Sequence, residues 1–452
     1  MSARTRSDRI PRPPDSGLQA GRATPPEESG TVGQFARGPV LSIAGAVMLA
    51  LSIASGFSGY FTDELYFLIA GKEHLGWGYA DQPPLVPLLA RAMDAVFPGS
   101  VIALRLPATL ATAAGVVVTA LIARELGGRR RAQVLAAGAY AVSVQVGLHG
   151  LTLGTWTIDP VWWTVITWLL VRWARLRNKG HHEDRLLLWA GVVTAISLQT
   201  KFLIPVFWAM LALSVSVVGP RDLLRRPLLY VGGALAVLTT LPGLFWQAHH
   251  GWPQLGMVQS IAEGADSRWG RLGFLPLVVI HAGIPVGVVF CCLGLWRLLR
   301  SPELRPYRFL GWTIMGVLTV FLLAGGRLRY SAGLYALLFA TAAVDIQRRR
   351  PAAWWRWVPT WPVYTISALV TAAVLVFSVQ SKIPRRNAWP QLAGEVASAY
   401  HSCHHRSNVR PWCWPRAARW LLPSTITGPP MGCPAPTARK AAAGISVRRR
   451  LA

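Results

Sequence analysis

The chain has 452 residues, of which 52% are hydrophobic and only 14% charged, with a formal net charge of +27. Soluble domains carry roughly 25% charged residues, so this deficit, with a mean hydropathy of +0.37, excludes an ordinary soluble enzyme. The basic excess does not mark a nucleic-acid binder, because it is scattered in short clusters rather than gathered on one continuous basic face.

Residues 1–38 are rich in Pro, Ser, Gly and Arg and lack apolar periodicity, which predicts a disordered cytoplasmic tail. They are no signal peptide, because the first apolar run starts only near Pro39. From there to residue 380, eleven apolar runs predict an all-α polytopic membrane protein. They lie at 39–57, 101–123, 133–149, 160–175, 186–200, 203–218, 228–246, 274–296, 309–324, 331–346 and 358–379. The connections at 124–132, 173–185, 219–227, 297–308 and 347–357 are all arginine-rich. By the positive-inside rule they are cytoplasmic, which leaves the N-terminus inside and residues after 380 outside a plasma membrane.

The outer connections are then 58–100, 150–159, 201–202, 247–273 and 325–330. The first holds Asp63 and Glu64, then Tyr79-Ala80-Asp81-Gln82-Pro83-Pro84, then an apolar stretch from Leu85 to Val96 suited to a helix lying along the membrane surface. Asp159 stands at the outer start of the fourth run, Lys201 where two short runs meet, and Arg327, Arg329 and Tyr330 at another outer junction. Charges at this depth are costly unless paired or functional, so carboxylates and cations are expected to converge at one level on one side. That set suits one reaction. A carboxylate accepts a proton from an attacking hydroxyl or amine, and cations stabilise the phosphate released from a lipid-linked phospho-sugar. Such a leaving group needs no second carboxylic acid, unlike glycoside hydrolysis.

The chain resembles the GT-C glycosyltransferases of family 39, the protein O-mannosyltransferases and the bacterial lipid A aminoarabinose transferases. The resemblance rests on TDELYFLIAGKEHLGWGYADQPPLVPLLAR at 62–91, LRLPATLATAAGVVVTALIARELGG at 104–128 and TWTIDP at 155–160. LQTKFLIP at 198–205, WQAHHGWPQL at 246–255 and GGRLRYSAGLYALL at 325–338 extend it in the same order. It implies an inverting transferase that uses a polyprenyl-phosphate-linked sugar as donor substrate and binds no nucleotide directly. It implies that Asp63 is the general base, that Glu64 orients substrate or Asp63, and that Asp159 is the acidic position of the next outer connection. Lys201, Arg327 and Tyr330 would face the carrier phosphate, although many relatives have Lys where Arg327 stands. Asp81 either binds acceptor or caps local backbone. The acceptor is open among protein, lipid and polysaccharide, and no metal-ligand spacing precedes residue 403.

Tyr66, Tyr79 and the many Trp residues read as interfacial anchors, His249 and His250 as loop residues, and His149 as a satisfied structural histidine. A second class of function, a transporter or lipid flippase, would place its polar groups near the bilayer midplane within internal repeats, and no repeat is seen. Residues 381–402 read as the start of an outer C-terminal domain. From Cys403 onward Asp and Glu vanish while Arg, Pro, Trp, Cys and His accumulate. A high-GC back-translation of this tail, read from each codon's third base, gives stretches like the outer domain of bacterial relatives. The expectation is an out-of-frame tail at 403–452, and with it the further alternative of an inactive remnant.

Overall fold

The computed structural model describes residues 33–264, 273–349, 357 and 359–380. The expectations for the N-terminal tail before residue 33, for 381–402 and for 403–452 lie outside the described residues. The chain divides into two compact units, residues 1–56 with 62–378 and residues 57–61 with 379–452.

Among the described residues there is no strand. The helices, in chain order, are α1 (Arg37–Phe57), α2 (Thr62–Glu73), α3 (Leu85–Val96), α4 (Val101–Glu125), α5 (Arg130–Ala141), α6 (Val144–His149), α7 (Thr155–Asn178) and α8 (Arg185–Thr200). They continue as α9 (Ile204–Val217), α10 (Pro227–His249), α11 (Pro253–Gly264), α12 (Phe274–His281), α13 (Val286–Arg300), α14 (Arg308–Leu323), α15 (Tyr335–Arg348) and α16 (Trp361–Gln380). All eleven apolar runs are helical, but two are broken. The run at 133–149 divides at Ser143, whose hydroxyl caps α6 by accepting from the Val146 N–H. The run at 274–296 becomes α12 and α13, bent by 114° at Gly283, whose φ of 121° is open to glycine alone. Among the described residues five helices are long and apolar enough to cross a membrane, six if the bent pair is one span. The remaining runs form shorter helices, or, in α7, one carrying charge at both ends.

Burial separates core from periphery. About a fifth of the apolar stretch is buried in α1 (22%), α10 (17%) and α16 (22%), against half in α4 (50%). The peripheral helices turn Leu49, Leu238 and Leu369 outward, as a hydrocarbon solvent permits. The packed centre is α4, α7 and α15: α4 lies on α7 and α5, α15 on α5 and α13, and α8 on α7 and α10. Where apolar side chains gain little by leaving lipid, close helix approach depends on small residues. At the α8–α10 crossing Gly191 meets Gly232, and a Cβ on Gly191 would collide with the Gly232 backbone.

One end of the core carries a connected layer of ion pairs. Arg175 pairs with Glu125 (2.5 Å), Arg177 with Asp222 (2.6 Å), Arg226 with Asp184 and Asp222 (3.3 and 3.2 Å), Arg297 with Asp345 (2.9 Å) and Arg349 with Glu303 (2.9 Å). Arg348 donates to the Leu126 carbonyl, and the Gln347 amide oxygen accepts from Arg129 and Ala132. These residues belong to all five arginine-rich connections. The opposite helix ends carry the acidic outer set.

Candidate active site

The site begins where α2 meets α4. Glu64 is fully buried, and its carboxylate accepts two bonds from the Arg105 guanidinium, at 2.8 and 2.7 Å. The same carboxylate accepts from the Leu153 N–H at 3.0 Å, and Arg105 also donates to the Ser55 carbonyl at 3.3 Å. One buried ion pair therefore ties α1, α2, α4 and the 150–154 turn together. Glu64 faces Arg105, and it shares the first turn of α2 with Asp63.

Asp63, one residue earlier in the first turn of α2, is half-buried. Its charge bears on Tyr66, Asp81 and Arg329. Tyr66 donates to Asp81 Oδ1 at 2.7 Å, so it holds a carboxylate rather than anchoring the surface. Asp81 is open to solvent on one side and hemmed in by protein on the others. That crowding raises its carboxyl above the ordinary range, and the Tyr66 hydrogen bond opposes the rise. Burial likewise raises the Tyr66 phenol, with the Asp81 charge adding to it. The 79–82 turn that presents Asp81 is pinned from α10, whose Gln247 donates to the Tyr79 carbonyl at 2.9 Å.

Next to this acidic group lies a narrow crevice, partly open to solvent. Asp159, Trp156 and Trp163 line it from α7, Lys201 from the connection after α8, and Arg329 and Tyr330 from the 3-10 turn Leu328–Leu334. Ser197 donates to Asp159 Oδ1 at 3.0 Å. The Lys201 ammonium sits 4.3 Å from the centre of the Tyr330 ring, and the Arg329 guanidinium 4.8 Å from that of Trp156, both cation–π contacts that fix a cation without neutralising it. Lys201, in the short connection outside both helices, has its pKa pushed down to about 8, first by burial and next by the Arg329 charge, with Asp159 opposing.

Asp159, Lys201 and Tyr330 thus share one crevice, with Asp63 and Asp81 in electrostatic contact with its cations. Arg327 is exposed and acts on Lys201, Arg329 and Tyr330 by its charge alone, while Arg329 supplies the lining cation. His249 and His250 are helical or helix-capping, each with Nδ1 against the carbonyl four residues earlier. Trp163 and Arg105 were not singled out from sequence. An arginine inside the apolar run 101–123 was the available signal for Arg105, and nothing distinguishes Trp163 among 21 tryptophans.

Residues 81–246 match the family model for dolichyl-phosphate-mannose-protein mannosyltransferases. No curated protein sequence matches the chain. Among solved structures, the chain is similar to ArnT from Cupriavidus metallidurans bound to undecaprenyl phosphate, at 18% identity and a TM-score of 0.55, over 74% of this chain and 63% of that one. The apo form of the same protein is similar at 15% identity and a TM-score of 0.55, over 78% of this chain and 74% of that one. The chain thus spans less than two thirds of the undecaprenyl-phosphate-bound ArnT chain. The chain thus carries a family match over residues 81–246 and shares the helical membrane fold of ArnT.

Proposed function

We propose that the chain transfers a sugar from a polyprenyl-phosphate donor to an acceptor at the outer face of the plasma membrane, with inversion and with Asp63 as general base. The observation that carries this reading is the pairing of a cation-lined crevice with a neighbouring carboxylate group. Lys201 and Arg329 present charge-bearing donors, held by Tyr330 and Trp156 rather than cancelled by direct ion pairs. They suit a phosphate whose prenyl tail stays in the bilayer. Asp63 and Asp81 lie at the start of α2 and in the 79–82 turn, where an acceptor approaching from solvent arrives.

In the reaction the acceptor hydroxyl or amine attacks the anomeric carbon on the face opposite the phosphate. The bond from the anomeric carbon to the phosphate oxygen breaks, and its electron pair leaves with that oxygen. The acceptor's proton passes to the Asp63 carboxylate. Lys201 and Arg329 stabilise the developing phosphate charge, and Glu64 with Arg105 keeps the α2 turn, and so Asp63, in place. The products are the glycosylated acceptor and polyprenyl phosphate. The arginine-rich ion-pair layer belongs to the cytoplasmic side by the positive-inside rule, which puts the crevice outside.

The test is Asp63→Asn in proteoliposomes supplied with a labelled polyprenyl-phosphate sugar. Transfer should fall by about 10²–10⁴-fold, the usual contribution of a positioned base, while the lipid still binds. Undiminished transfer in that variant would remove Asp63 from the chemistry. The donor sugar and acceptor are identified by comparing lipid-linked sugars and envelope glycans of a deletion strain with those of its parent.

A further inference from the structure

Trp163 is 1% exposed, yet its indole N–H makes no hydrogen bond of good geometry. A buried donor left unpaired costs about 1–3 kcal/mol, and in a native structure it needs a reason. The side chain is not loosely held. Its ring packs edge-on to Phe207 of α9, with centroids 5.5 Å apart, and lies 6.4 Å from Phe321 of α14. A Cβ on Gly333 would collide with Trp163, so that glycine makes room for it. Three elements fix the indole while leaving its polar atom poorly satisfied.

That atom belongs to a lining residue of the crevice, and it is accompanied. Arg329 lines the same crevice, and its Nε is also buried without a partner. The Trp163 N–H makes a weak hydrogen bond to the Asp159 carboxylate, poorer in geometry than the one Ser197 donates at 3.0 Å. Indole N–H, guanidinium and ammonium all donate and none accepts. A group that satisfies Trp163, Arg329 and Lys201 together must offer several acceptor atoms and negative charge.

Resting on the reading of this crevice as the phosphate site, we infer that the Trp163 indole N–H is a further, uncharged ligand of the carrier phosphate. It fixes the orientation of one phosphate oxygen, whereas the two cations supply most of the attraction. Because it does not titrate, its contribution is constant with pH, unlike that of Lys201.

The test compares full-length wild type, Trp163→Phe and Trp168→Phe in detergent, measuring affinity for labelled undecaprenyl phosphate. Trp168 is a matched control: its Nε1 is also buried and unpartnered in α7, but it does not line the crevice. Trp163→Phe should weaken binding about tenfold or more, the scale of a lost bond to a charged acceptor, equally at pH 6.5 and pH 9, and Trp168→Phe should leave it unchanged. A second arm uses wild-type protein labelled at the indole nitrogens, with the Trp163 signal assigned through Trp163→Phe and Trp163→Tyr. Adding the lipid phosphate should move that indole proton downfield. Equal affinities for wild type and Trp163→Phe, or an indole signal that responds to Asp159→Asn but not to the lipid, would overturn the inference and leave the phosphate site standing. Failure of the wild type to bind the lipid would overturn both.

Discussion

Breaking the Glu64–Arg105 pair should do more damage than any other single change outside the crevice. Both side chains are 0% exposed, with a 2.7 Å contact between Arg105 Nη2 and Glu64 Oε2. Arg105→Met removes two charge-assisted bonds to Glu64 and a donor to the Ser55 carbonyl, and leaves the Glu64 carboxylate buried without its guanidinium. Removing one partner of a buried ion pair costs about 3–5 kcal/mol, because the other charge stays desolvated. Replacing both by apolar groups of similar volume is often close to neutral. Glu64→Leu and Arg105→Met should therefore each lower thermal stability strongly, whereas the double variant should be more stable than either. The coupling energy would be several kcal/mol, well beyond the 0.5 kcal/mol scatter expected of independent sites. Thermal unfolding in detergent, followed by tryptophan fluorescence, measures this. The double variant should still transfer sugar poorly, since the α2 turn that carries Asp63 has lost its tie to the 150–154 turn. Additive single effects, or singles that each cost under about 1 kcal/mol as exposed pairs do, would refute the reasoning.

On the proposed function, Lys201 is expected to set a pH limit on lipid-phosphate binding. With its pKa at about 8, lowered chiefly by burial, it is cationic below that value and neutral above it, so affinity should fall as pH rises through 8. Lys201→Met should bind more weakly at pH 7 and show no such alkaline fall in a binding titration from pH 6.5 to 9.5; an unchanged profile would remove Lys201 from the site. Gly191→Val should destabilise the α8–α10 crossing by about 1–3 kcal/mol, the usual cost of overpacking, because its side chain meets the Gly232 backbone; an unshifted melting curve would refute that. Arg177→Ala should change stability by less than about 1 kcal/mol, since its partner Asp222 is 32% exposed and Arg177 itself 37% exposed; a large loss would mean that the ion-pair layer acts as one unit.

What sequence revealed and what it hid divides along physical lines. Helix positions follow from apolar runs because a membrane-embedded backbone must satisfy itself locally, and every run became helical. The breaks did not follow. The division at Ser143 depends on a hydroxyl finding the Val146 N–H, and the bend at Gly283 depends on a positive φ, neither visible in mean hydropathy. The outer set was legible because charge beside a membrane is rare. Its finer arrangement was not. Glu64 and Asp63 are adjacent in sequence, and only the fold separates a carboxylate buried against Arg105 from one that meets the crevice cations. Arg327 and Arg329 are two residues apart, and the 3-10 turn leaves the first exposed while the second reaches Trp156. Tyr66 looked like an anchor because tyrosine often is one, and its bond to Asp81 joins residues 15 apart across two elements.

The two ends of the helices treat charge in opposite ways, and the contrast bears on catalysis. At the arginine-rich end nearly every carboxylate is matched to a guanidinium: Glu125, Asp184, Asp222, Glu303 and Asp345 all have arginine partners. Such a layer is saturated and offers little to a ligand. At the other end Glu64 and Arg105 are paired and sealed away, and Lys72 pairs with Asp94 at the surface at 2.8 Å. Lys201 and Arg329 rest on aromatic faces instead of carboxylates, and Asp159 accepts from a serine. An aromatic face holds a cation in position at about 0.5–2 kcal/mol while leaving most of its charge unscreened. Keeping cations and carboxylates close but unmatched costs stability, and a site tolerates that cost when a transient charge completes the set. On the proposed function, a phosphate that gains negative charge as its sugar leaves is such a group, and the site is then expected to bind best the species nearest the transition state.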